Sequence, residues 1–167
     1  MDGVAATRPV VAARPDDVVL LVGTNDIGGA VEGGRKQEAR YRRLQMLPPD
    51  ATPSLEWYEE CLGAILDRLR AETRARIGGV LEIPICGEDL ASEQNRRVSA
   101  YNRSLHRVAR ERDVAVLPLF DRLAAALPVG HRPPPFRQST SFMLRSAARH
   151  TVLRRSWDDV AKANGLT

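Results

Sequence analysis

Hydrophobic positions fall into three short apolar runs separated by longer stretches with helical spacing. Asp16-Asp17-Val18-Val19-Leu20-Leu21-Val22 is a β-branched run closed by Gly23, which predicts a strand buried on both faces. A polar, Gly-punctuated stretch follows through Gly34, and a helix is expected over Arg35–Leu47, stopping before Pro48-Pro49. Thr52-Pro53 has the form of an N-cap with Pro at the first helical position, opening a helix to about Arg74. Its apolar residues Leu55, Tyr58, Leu62, Ile65, Leu66 and Leu69 recur at three and four, which makes one core-facing stripe. Gly78-Gly79 leads into Val80-Leu81-Glu82-Ile83-Pro84-Ile85, a second strand. A further helix spans about Ser92–Arg112, with Val98, Tyr101, Leu105 and Val108 on one face, and Val114–Leu119 is a third strand.

Strand, helix, strand, helix, strand is the order of a parallel sheet with right-handed crossovers, so the fold class is α/β. Beyond Asp121 the pattern weakens to a short helix at Arg122–Leu127 and the stiff His131-Arg132-Pro133-Pro134-Pro135 segment. A helix near Ser139–Leu153 follows, and Ser156-Trp157-Asp158-Asp159 resembles a capping box for a last helix ending at Asn164-Gly165. The 167 residues are expected to form a single domain, with an α/β body over 16–121 and a basic, mostly helical segment over 128–167.

Charge sharpens that division. The chain has 25 Lys+Arg against 21 Asp+Glu, a net +4, while residues 128–167 alone hold 7 basic and 2 acidic residues. A basic segment can attract nucleic acid or an anionic surface. Here it has few aromatics, no run of four basic residues and no helix-turn-helix or RNA-binding signature, which argues against nucleic acid. The longest apolar run, Val18–Val22, is far too short to span a membrane. Cys61 and Cys86 form no Cys-x-x-Cys or Cys/His cluster, which excludes a zinc finger and fits two free thiols in a reducing compartment. With no secretory signal in residues 1–13, the chain as given is expected in the cytoplasm, a signal ahead of Met1 being left open.

In an open parallel sheet, ligands bind beyond the carboxyl ends of the strands. The residues there are Gly23-Thr24-Asn25-Asp26, Cys86-Gly87-Glu88-Asp89 and Phe120-Asp121. The first group is the richest, because a side-chain amide just past a turn-forming Gly can aim an N–H at a developing oxyanion. The alternative is that Asn25 and Asp26 only cap a turn by bonding their own backbone. A phosphate loop is excluded: Gly23–Gly28 continues Gly29-Ala30 and Gly29–Gly34 continues Arg35-Lys36, neither supplying Lys-Ser/Thr.

Val18–Val22 followed by Gly23-Thr24-Asn25-Asp26-Ile27-Gly28 resembles the Gly-x-Asn-Asp block of the SGNH/GDSL ester hydrolases. Leu81-Glu82-Ile83-Pro84 with Gly87-Glu88-Asp89, then Asn95-Arg96-Arg97-Val98 through Tyr101-Asn102, then Val114–Leu119, resemble the course of its bacterial members. The resemblance implies a flavodoxin-like three-layer α/β/α fold and hydrolysis of a small-molecule ester through an acyl-serine, with no metal and no cofactor. It makes Asn25 the oxyanion-hole donor, with Gly23 supplying the turn, Thr24 completing the site loop and Asp26 fixing the loop by local hydrogen bonds.

The chain departs from that family at both ends. It contains no Gly-Asp-Ser, only Gly3 being available ahead of Asp16, so no nucleophile is found. The residues three before His106, His131 and His150 are Arg103, Pro128 and Ala147, so there is no Asp-x-x-His and no general base. His106 is read as a surface or half-buried helix residue, His131 falls in the Pro-rich segment, and His150 lies among arginines. The sequence is therefore expected to be a hydrolase fold incomplete at both ends, inactive or truncated as given. The alternatives are a non-catalytic binding module on the same scaffold and an anionic-surface or nucleic-acid binder using the basic segment. Without a neighbouring serine-block strand, Val18–Val22 becomes an apolar sheet edge, through which self-association is expected.

Overall fold

The computed structural model describes residues 7–29, 38–39, 42–43, 51–130 and 140–163. Its elements run α1 (Arg8–Ala13), β1 (Asp17–Leu20), α2 (Thr24–Gly29), α3 (Leu55–Glu72), β2 (Arg76–Leu81), α4 (Glu93–Glu111), β3 (Val116–Leu117), α5 (Leu119–Ala126), α6 (Thr140–Thr151) and α7 (Trp157–Ala163). The three strands form a parallel sheet in the order β1-β2-β3, the α/β arrangement expected from the alternation. Of the helix expected over Arg35–Leu47, only 38–39 and 42–43 are described, and both pairs are helical. Gly3, the His131–Pro135 segment and Asn164-Gly165 lie outside the described residues.

The core lies between the sheet and the apolar stripes of α3 and α4. Tyr58, Leu62 and Leu66 from α3 meet Val98, Tyr101, Leu105, Val108 and Ala109 from α4, with Val80 and Ile83 beneath them. Leu20, Val22 and Ile77 pack against this cluster from the strand side. The stripes read from sequence spacing are thus the buried faces of both helices.

Several boundaries differ from the expected ones, each for an identifiable reason. The long helix α3 starts two residues late, because Ser54 rather than Thr52 is the N-cap, its hydroxyl accepting from the Trp57 N–H at 3.1 Å. β1 is shorter than Asp16–Val22 and is buried on one face only: Val18 is buried, while Val19 is 54% and Leu21 49% exposed. Among the described residues β1 is an edge strand, paired with β2 alone, and α3 and α4 cover only the face carrying Leu20 and Val22.

β2 begins at Arg76, so Gly78 and Gly79 lie inside the strand instead of ahead of it. Val18 pairs with Ile77 and Val19 with Gly79, leaving Gly78 as the extra residue of a bulge. The strand ends before Ile83-Pro84-Ile85 because the Asn102 side chain takes over there. Its Oδ1 accepts the Ile83 N–H at 2.8 Å and its Nδ2 donates to the Ile83 carbonyl at 3.0 Å, and Pro84 has no N–H to continue a ladder.

Helix α5 begins at Leu119, three residues before the expected Arg122, so Phe120 and Asp121 form its first turn and not a loop after β3. Its N-cap residue, Pro118, makes no side-chain cap. Glu82 supplies one from the end of β2: Oε2 accepts the N–H groups of Phe120 at 3.0 Å and Asp121 at 3.4 Å, while Oε1 meets His106 Nε2 at 2.8 Å. The Glu82 residue is only 5% exposed, so its charge is acceptable because each oxygen is engaged. Glu82→Ala is expected to lower stability by about 2 kcal/mol, the loss of a helix cap together with buried hydrogen bonds. Urea unfolding should read this as a lower midpoint at unchanged slope.

In the basic C-terminal segment, α6 matches the expected helix closely. Ser156 caps α7, its Oγ accepting the Asp159 N–H at 3.0 Å. His150 stacks on Trp157 with ring centroids 4.1 Å apart, and its Nδ1 lies 2.8 Å from the Arg155 carbonyl. Among the described residues no helix is long and apolar enough to cross a membrane.

Candidate active site

Gly23 ends the chain's run out of β1 with φ = 103°, a conformation L side chains rarely adopt. Its surroundings also require glycine. A Cβ there would lie 2.6 Å from Ile83 Cδ1 and 2.8 Å from Tyr58 Cε2, so the backbone sits directly on the core. The Gly23 carbonyl then accepts the Ile27 N–H at 3.2 Å, and the chain turns at once into α2. The Gly23–Asp26 group is therefore a strand-to-helix elbow, with Thr24–Gly29 helical where a polar, Gly-punctuated stretch was expected.

The elbow sorts its side chains by direction. Thr24 and Asn25 are exposed, Asp26 is half-buried and Ile27 is buried against the core. The Asn25 side chain has no hydrogen-bond partner among the described residues, so its amide does not close a local turn. Burial pushes the Asp26 carboxyl above its ordinary range, partly offset by its own backbone N–H. Beneath the elbow, Tyr58 and Tyr101 stand with ring centroids 5.0 Å apart and planes tilted by 50°.

The end of β2 approaches the same place through Ile83, and the turn beyond it is held by Asn95, which is fully buried. Asn95 Oδ1 accepts the Cys86 N–H at 2.7 Å, and its Nδ2 faces the carbonyls of Cys86, Gly87 and Asp89 at 3.3, 3.2 and 2.8 Å. Cys86-Gly87-Glu88-Asp89 is thus a pinned turn. Burial raises the Cys86 thiol above its usual range, which leaves it less reactive than a free cysteine. The Cys61 thiol is raised too, by burial and by the Asp26 charge.

The third group, Phe120-Asp121, is committed to the Glu82 cap. His106 is half-exposed, as its place on the helix suggested, but it pairs with a buried carboxylate that the sequence reading did not single out. A signal for Asn95 and Asn102 was present: they stand seven residues apart on the same stripe as Val98, Tyr101 and Leu105, where apolar residues are the rule. Among the described residues no three His, Cys, Asp or Glu side chains come together as a metal-binding group.

The model of the GDSL-like lipase/acylhydrolase family matches residues 2–139. The chain belongs to this family. No curated protein matches it. Among solved structures, this GDSL-like chain is similar to the acetyl xylan esterase AlAXEase, with 20% identity and a TM-score of 0.57 over 74% of this chain and 55% of that one. It is also similar to a variant of Axe2, an acetyl xylan esterase from Geobacillus stearothermophilus, with 15% identity and a TM-score of 0.58 over 80% and 54% of the two chains. A third likeness is to LAE5, an alpha/beta hydrolase enzyme from the metagenome of Lake Arreo, Spain, with 17% identity, a TM-score of 0.54 and coverage of 80% and 54%. The GDSL-like chain spans about half the length of these solved structures, and at such identities the likeness is one of fold.

Proposed function

We propose that the chain carries the oxyanion-binding elbow of a carboxylic ester hydrolase, with the Asn25 side-chain amide as donor. The observation that carries this is the division at the elbow: Gly23 at φ = 103° seats the backbone on Tyr58 and Ile83, Ile27 anchors the next turn, and Asn25 is left exposed without a protein partner among the described residues. An amide held on a rigid turn costs little reorganisation when charge develops on a carbonyl oxygen, which is the condition for oxyanion stabilisation. In an acyl-serine route the serine oxygen adds to the ester carbonyl, the alcohol leaves with the serine proton carried by a base, and water then releases the acid. Asn25 would act on the tetrahedral stage of both halves. The acetyl xylan esterases of similar fold favour a short acyl group as substrate.

The absence of Gly-Asp-Ser and Asp-x-x-His from the 167 residues favours a second reading, a binding module that kept the elbow without turnover. Hydrolysis of p-nitrophenyl acetate, measured alongside labelling by a fluorophosphonate, separates the two. Turnover that falls about 100-fold or more in Asn25→Ala, equivalent to roughly 3 kcal/mol of transition-state stabilisation, supports the first reading. Turnover that ignores Asn25→Ala removes Asn25 from the role. A chain with neither turnover nor labelling is the binding module.

A further inference from the structure

Among the described residues nine large apolar side chains are exposed, and four of them, Leu144, Val152, Leu153 and Trp157, fall between the first half of α6 and the start of α7. They are 58–75% exposed, so apolar surface left to solvent is concentrated here. On α6, Leu144, Ala147, Ala148 and Thr151 stand at i, i+3, i+4 and i+7 and are all exposed, while Ser146, Arg149 and His150 on the other side are half-buried. Val152 and Leu153 continue the strip, since the Ala148 carbonyl accepts both of their N–H groups, at 2.9 and 3.3 Å. A helix packed on its own domain turns its apolar stripe inward. The reversed orientation of α6 leaves a mostly apolar strip facing outward, which is the mark of an interaction surface.

The rim of the strip is basic. Arg145 adjoins Leu144, and Arg154 and Arg155 follow Leu153; all three are exposed and make no ion pair among the described residues. Residues 140–163 hold Arg145, Arg149, Arg154, Arg155 and Lys162 against Asp158 and Asp159, and both acids stand in the first turn of α7, where the positive end of the helix takes up part of their charge. Trp157 flanks the strip, its indole held by the stack on His150 with ring planes 18° apart. Apolar side chains rimmed by arginines and flanked by an indole suit the boundary of a bilayer, where hydrocarbon lies beneath charged headgroups. A nucleic acid would engage the arginines but gain little from Leu144, Val152 and Leu153.

We propose that the outward strip of α6 and the turn into α7 adsorb to membrane surfaces that carry anionic lipid. Leu144, Val152 and Leu153 enter the boundary between headgroups and acyl chains, and Arg145, Arg154 and Arg155 meet the negative headgroups. The attachment is peripheral, a helix lying on the surface and not crossing it. Its electrostatic part is confined to about a Debye length and weakens with salt.

The test is cosedimentation of the full chain with vesicles of phosphatidylcholine alone and of an equal mixture with phosphatidylglycerol. Adsorption is expected on the mixed vesicles and is expected to be lost at about 1 M salt, where the Debye length is about 3 Å. It should fall about fivefold in Arg145→Gln and about fivefold again when Arg154→Gln is added. Leu144→Ser/Leu153→Ser should lower it about tenfold. All four residues are exposed, so the urea midpoints should stay at that of the parent, which separates lost adsorption from lost folding. No adsorption to mixed vesicles at low salt, equal adsorption to phosphatidylcholine alone, or adsorption indifferent to the leucine pair overturns the proposal. Salt-sensitive retention of a DNA duplex without vesicle adsorption also overturns it, giving the arginines to nucleic acid. A dimer that the leucine pair dissolves, without vesicle adsorption, overturns it in favour of a second copy of the chain.

Discussion

Asn95→Ala is expected to destabilise the protein by about 4 kcal/mol, more than any cavity of that size would explain. The side chain is fully buried and serves four backbone groups of the turn after β2, one N–H and three carbonyls. Alanine removes every one of these partners at once. Among the described residues the Cys86 N–H has no other acceptor, and stranding a donor out of reach of water costs roughly 1–3 kcal/mol. Each abandoned carbonyl adds a smaller cost, because the turn is half-buried and water can reach part of it. Asn95→Asp separates packing from hydrogen bonding: it keeps the acceptor for Cys86 but turns a carboxylate toward the carbonyls of Cys86, Gly87 and Asp89. Both variants should lower the urea midpoint, and hydrogen exchange at Cys86 should accelerate ahead of the core of α4. An Asn95→Ala protein within 1 kcal/mol of the parent would show that the turn is not held this way.

Gly23→Ala should be nearly as damaging, at about 4 kcal/mol, and its harm should extend to the elbow itself. Two independent terms add. An alanine at φ = 103° lies outside the regions open to L residues, a strain of roughly 1–3 kcal/mol. The new Cβ would meet Ile83 Cδ1 at 2.6 Å and the Tyr58 ring at 2.8 Å, and overpacking of a filled core costs about 1–3 kcal/mol more. Ile83 can rotate, but Tyr58 is braced against Tyr101, so the backbone must give way. Truncating the obstacle in Gly23→Ala/Ile83→Val should recover part of the packing term and none of the strain. The thermal midpoint of the double variant should therefore lie between the two single variants' sum and the parent, which a mutant cycle measures directly. Full recovery would assign the cost to packing alone.

How much of this was legible beforehand depends on the kind of residue. Leu62, Leu66, Val98 and Leu105 announce themselves by spacing, because a helix with one covered face must repeat apolar residues at three and four. The order of apolar runs and helices was enough for a parallel α/β sheet, and Gly23 was legible as the residue that turns the chain after the first strand. Glu82 was hidden inside what read as a strand, and the strand itself was placed too late. Its role as the cap of α5 depends on an element 38 residues further along, which local pattern does not reach. Tyr58 and Tyr101 were read as core, correctly, yet apolar periodicity counts a tyrosine as a ring and ignores its hydroxyl.

The chain alone therefore settles the class of fold and the faces of its helices, since these follow from backbone propensity and the burial of apolar stripes. The tertiary structure decides where the strands stop, which asparagines act as surrogate strands, and which way Asn25 and Asp26 face. Those outcomes turn on polar atoms meeting across the sheet and helices, where a hydrogen bond is worth most once water is excluded, and no local pattern of residues records that meeting.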